Sequence, residues 1–157
     1  MAWGNISNKE TKRLEIIQKR AIRNISKAKY NSHTNILYKN LGLLKISDIF
    51  NLSCVKFYLK VKSNQAPQYF HDLLPQNSHL HSHLTRSNQN LHIFNRPSEL
   101  KHQLVNVKIP LIWNKLPEYL KPNSSDHKCA LDRIKDYFIS QYPLQCNVPN
   151  CYVCQYT

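Results

Sequence analysis

Glycine is almost missing from this chain: only Gly4 and Gly42 occur in 157 residues. Both nucleotide-binding fingerprints need several glycines where backbone approaches phosphate, so phosphate-cradling loops of either kind are excluded. Acidic residues are also scarce, 9 Asp and Glu against 22 Lys and Arg, which leaves a formal net charge of +13. None of Asp48, Asp72, Asp126, Asp132 and Asp136 adjoins another acid. Two-metal nucleotidyl transfer needs clustered carboxylates, so no polymerase chemistry is expected from this chain alone. Asp132 and Asp136 share a helix face, but Arg133 and Lys135 flank them, which predicts a surface ion-pair network. Long apolar runs are missing too. None approaches the roughly 18 residues of a membrane span, and no membrane partner is expected. No apolar stretch follows the charges of MAWGNISNKETKR, so a secretory leader is not expected either. Five cysteines, an odd number, then read as reduced intracellular thiols or metal ligands, in the nucleus or the cytoplasm.

What is present suits a small folded domain. Hydrophobic residues make up 41% and aromatics 10%, too much for a wholly disordered chain. The excess of positive charge favours nucleic acid or an anionic surface as partner. The stretch Ser7 to Ala28 organises the rest. Ser7 and Glu10 have capping-box spacing at a helix start. Leu14, Ile17, Ala21, Ile25 and Ala28 recur at helical steps and predict a buried stripe. At about 100° per residue, Lys9, Lys12, Lys19, Arg20, Arg23 and Lys27 gather on the opposite side, where Ile16 also falls. Only Glu10 and Glu15 offset that face, and its natural partner is a polyanion.

Asn31 to Thr34 breaks the helix, and Thr34 can cap a short second helix that Gly42 closes. Ser47 is the expected cap of a third helix reaching about Lys62, with Ile49, Leu52, Val55 or Lys56, and Leu59 on its buried stripe, widened by Phe57 and Tyr58. Gln68 to Leu74 can form a turn or two of helix between Pro67 and Pro75. Residues 75–90 lack periodicity and read as a loop. Leu91 and Ile93, then Val105, Val107 and Ile109, alternate like short extended segments within 91–109. Pro110 then opens a tight turn of helix that bears Trp113. A last helix, capped by Asn123, Ser124 or Ser125, runs to about Gln141 with Leu131, Ile134 and Phe138 on one face. The expected fold is mainly α, with a helical region over 1–142 and a cysteine-containing tail over 143–157.

The order of these pieces is distinctive. Trp3-Gly4-Asn5 is followed by Leu14-x-x-x-Gln18-Lys19-x-Ala21-Ile22-Arg23, His33-Thr34 and Leu44-Lys45-Ile46-x-Asp48. Thr85-Arg86, Trp113-Asn114-x-Leu116-Pro117 and Ile134-Lys135-Asp136-Tyr137-Phe138 with Tyr142 complete the series. Over about residues 3–142 the chain resembles the C-terminal, post-palm region of a non-LTR (LINE-type, jockey-like) retrotransposon reverse transcriptase, which includes or follows the thumb. The resemblance implies a non-catalytic fragment of an RNA-directed DNA polymerase, because the family's aromatic-Ala-Asp-Asp turn is absent here. The family's usual Phe-Lys at the start of the last helix is also replaced, near Cys129-Ala130.

Two clusters could carry other chemistry. Cys146, Cys151 and Cys154 have metal-ligand spacing and could hold zinc with one further ligand, but no His follows them, and the competing reading is exposed thiols on a frayed end. His79, His81 and His83 would share a face on a strand, yet Asn, Ser and Pro around them favour a solvated loop. Cys54 and Cys129 read as packing residues. Tyr30, Tyr38, Tyr119 and Tyr137 sit near cations as possible stacking groups, while Trp113 among Ile109, Leu111, Ile112 and Leu116 reads as core. The expected activity is sequence-tolerant binding of RNA or DNA backbone through Lys12, Lys19, Arg20, Arg23, Lys27 and Arg86, with no required cofactor. The competing expectation is a structural segment that docks its apolar faces on a polymerase core.

Overall fold

A computed structural model describes residues 8–80, 89–94, 104–122 and 127–144. The protein is mainly helical, as its periodicity predicts. The helices are α1 (Asn8–Ile25), α2 (Thr34–Asn40), α3 (Ile46–Lys62), α4 (Gln68–Leu73), α5 (Asn77–Leu80), α6 (Val105–Lys115) and α7 (His127–Ser140), with a 3-10 turn at Glu118–Leu120. No strand occurs among the described residues; Gln76 and Leu91 form an isolated antiparallel bridge.

Three helices stop in the same way. Lys27, Gly42 and Asn64 each take a left-handed backbone conformation, with φ of 49°, 61° and 56°. At each, the next residue's N–H reaches a carbonyl five back: Ala28 to Arg23, Leu43 to Tyr38, Gln65 to Lys60. This paired-bond ending satisfies carbonyls that the helix leaves open. Glycine at position 42 meets that need without steric cost, as its placement after α2 foretells. Lysine at position 27 meets it at some cost, since a Cβ disfavours the left-handed region. The N-terminal ends differ from expectation. Thr34 is already helical and His33 takes the cap position without a side-chain bond. Ser47 likewise lies inside the first turn of α3 rather than before it.

The described residues group into two compact units, one holding Phe50 to Asp132, the other holding the stretch up to Ile49 and the stretch from Arg133. In the first unit, Cys54, Val55, Tyr58, Leu59 and Val61 of α3 are buried, as are Leu74, Leu91, Val107, Ile109, Trp113, Leu116 and Leu120. The Trp113 ring meets Tyr58 edge to face, 4.5 Å between centroids, which bears out the core reading of Trp113. Asn114 clamps the extended residue Leu91 from both sides: its Oδ1 accepts from the Leu91 N–H (2.9 Å) and its Nδ2 donates to the Leu91 carbonyl (2.8 Å).

Two expectations fail in this unit. Val105, Val107 and Ile109 are helical, and Pro110 lies inside α6 rather than opening it. Val107, Ile109, Pro110, Trp113 and Leu116 are buried, and that stripe outweighs both the extended preference of β-branched residues and the hydrogen bond that Pro110 cannot donate. Within residues 75–90, Asn77–Leu80 forms a helical turn rather than loop.

Candidate nucleic-acid interface

The second unit is built around the polar side of α1. Ile22 is the one buried residue of α1 among those described. Leu14, Ile17 and Ile25, expected in the core, are 37%, 60% and 65% exposed, and Ala21 is exposed as well. Gln18 faces inward instead and acts as a hub. Its Nε2 donates to the Leu44 carbonyl (2.8 Å), and its Oε1 accepts from the Tyr38 hydroxyl (2.8 Å) and the Ile46 N–H (3.0 Å). One amide thereby ties α1 to α2 and to the start of α3. Alternation of apolar and polar residues could not reveal this, because the deciding partners are 20 to 28 residues away.

A second polar knot adjoins the same segment. The Tyr142 hydroxyl donates to Asp48 Oδ2 (2.7 Å) and accepts from the Lys45 N–H (3.0 Å). The Lys45 ammonium sits 4.3 Å from the Tyr142 ring centroid and 5.9 Å from that of Tyr38, and the two rings meet edge to face at 6.1 Å. Burial, aided by the charge of Glu15, pushes the Tyr38 phenol up to about 12. Burial and then the bond to Asp48 push Tyr142 up as well. Burial lowers the Lys45 pKa, with the Asp48 charge opposing the shift.

Beside these knots lies a polar concavity of about 440 Å³, lined by Glu15, Lys19 and Arg23 of α1, by residues from Asn31 to Asn35, and by Tyr38 and Lys45. Of the cations singled out on α1, the fold brings Lys19 and Arg23 to this concavity and adds Lys45, which sequence reasoning passed over as a binding residue. Its signal was its place beside Ile46 and Asp48. Arg23 is partly committed: its Nε donates to the Ser32 carbonyl at 2.9 Å and holds the loop before α2. Lys12 and Arg20 are exposed on α1 outside the lining. Lys27 lies past the helix end, at the left-handed turn. Arg86 and Thr85 lie outside the described residues, as do Cys146, Cys151, Cys154, His81, His83 and the Ser7 half of the capping box.

The remaining candidates separate by burial. Cys54 is buried and burial pushes its thiol up to about 11, whereas Cys129 is exposed rather than packed. Among the expected stacking groups, Tyr30 and Tyr119 are 81% and 72% exposed, while Tyr38 is buried. Asp132 and Asp136 make no ion pair among the described residues; the pairs there are Arg13 with Glu10 and Lys121 with Glu118, both 2.9 Å. No group of three His, Cys, Asp or Glu side chains is placed to hold a metal among the described residues, and no described helix is long and apolar enough to cross a membrane. Comparison with protein families, curated proteins and solved structures finds no match to this chain.

Proposed function

We propose that this chain is a non-catalytic, nucleic-acid-binding segment of the kind that follows the palm in LINE-type reverse transcriptases, and that it grips RNA or DNA through phosphate rather than base. The observation that carries this reading is the gathering of Lys19, Arg23 and Lys45 on one polar concavity in a chain of net charge +13. Ammonium and guanidinium groups so placed meet the phosphate oxygens of any sequence alike. Lys12 and Arg20, exposed outside the lining, add longer-range attraction. The order of the family-like motifs supports the same assignment.

Three phosphate contacts release close to three counterions, so the log–log salt slope on duplex is about −3. Replacing Lys19→Gln together with Lys45→Gln lowers the slope by about 2 and weakens binding equally on unrelated sequences. Arg20→Gln has a smaller effect. Fluorescence anisotropy with labelled hybrid and single-stranded oligonucleotides across a salt series measures each quantity. Unchanged affinity and slope in the double variant, with circular dichroism showing it folded, would remove the concavity from the binding surface.

A further inference from the structure

The exposed apolar stripe of α1 has no role in the phosphate reading, and it is too regular to be scattered surface residues. Leu14, Ile17, Ala21 and Ile25 follow at steps of three, four and four, and all are exposed. At about 100° per residue they occupy an arc of about 80°, the width of a helix–helix seam. One border of the stripe is the packed face that carries Gln18 and Ile22. The other border carries exposed Arg20, three residues after Ile17, and exposed Asn24, while Arg13, four residues before Ile17, is already paired with Glu10 at 2.9 Å.

We infer that this face docks one amphipathic helix of a partner protein, carrying aliphatic residues along its seam and a Glu or Asp on the single flank that meets Arg20. Charge selects this occupant. A second copy of the chain brings the same Arg20 against this one and a further +13 of net charge. An anionic membrane surface is disfavoured because interfacial helices bury a broad face with Trp, Phe or Leu, while this stripe is narrow and has no aromatic residue. The inference stands apart from the phosphate concavity, since the two use different faces of α1.

The test uses the full chain and a designed, labelled 18-residue helical peptide with Leu or Ile at the seam positions and Glu along one flank. Expected are saturable binding, loss of about tenfold or more in Ile17→Ser/Ile25→Ser, and a smaller, salt-dependent loss in Arg20→Gln. The substituted isoleucines are exposed, so folding survives, and circular dichroism checks it. Oligonucleotide affinity remains at the wild-type level in the isoleucine variant, which keeps a failure here distinct from a failure at Lys19 and Lys45. Equal binding of a scrambled peptide of the same charge overturns the inference in favour of unspecific attraction. Stripe-dependent binding to phosphatidylserine-containing vesicles without peptide binding overturns it in favour of a membrane. A stripe-dependent dimer in light scattering overturns it in favour of a second copy.

Discussion

The unit around α3 and α6 hides apolar side chains, with Leu59, Leu91, Ile109 and Trp113 all buried. In the unit that holds α1 and α2, buried Ile22, Leu44, Ile134 and Ile139 are accompanied by a Gln amide, two phenols and a carboxylate, joined by hydrogen bonds of 2.7 to 3.0 Å. The contrast is sharpest between the helices themselves. α3 buries Cys54, Val55, Tyr58, Leu59 and Val61, whereas α1 turns Leu14, Ile17 and Ile25 outward and Gln18 inward. Amphipathicity alone therefore does not say which side of a helix a fold uses. Apolar burial is non-directional and tolerant, but a hydrogen-bonded interior demands particular partners, and each group left unpaired there costs more than a made bond returns.

The largest effect expected from this comparison is in the apolar unit. Leu59→Ala removes a fully buried side chain and leaves a cavity, costing about 2–5 kcal/mol, read from the urea midpoint at constant m-value. Next comes the polar hub. Gln18→Leu keeps the volume but strips the Tyr38 hydroxyl, the Ile46 N–H and the Leu44 carbonyl of their shared partner, at a cost of about 1–3 kcal/mol. Gln18→Glu retains the acceptor and loses less. A neutral Gln18→Leu would break the contrast, because the interior of this unit would then be apolar in its energetics.

The smallest effect appears only in alkali. The Tyr38 phenol titrates near 12 in the folded chain against an ordinary value of 10.0. Its contribution is therefore complete below pH 10 and is lost as pH rises toward 12, because the unfolded chain gives up the proton first. Between those values the urea midpoint of the wild type should fall faster than that of Tyr38→Phe. Parallel curves would place Tyr38 in contact with water and weaken the case for a closed polar interior.

Much of the fold was legible from local signals. Gly42 marks the end of α2 because a left-handed residue is needed there, Pro67 and Pro75 bracket α4, and the aliphatic neighbours of Trp113 place it in the core. The site was legible in part. Lys19 and Arg23 stood out by charge, but the placing of Lys45 beside them depends on Gln18, Tyr142 and Asp48, which span most of the chain. Gln18, Leu44, Lys45, Ile46, Asp48 and Tyr142, far apart in the sequence, belong to linked hydrogen-bond knots, which no local pattern announces.

By itself the sequence determined the helical class, the excess of cations and most points where the chain turns, since these follow from periodicity, net charge and the backbone limits of glycine and proline. Tertiary structure alone decided that α1 packs by its polar side, that Val105–Lys115 is helical across Pro110, and that Lys45 joins Lys19 and Arg23. Each of these depends on partners distant in sequence, and a local pattern carries no information about which distant group satisfies a buried donor or fills a buried face.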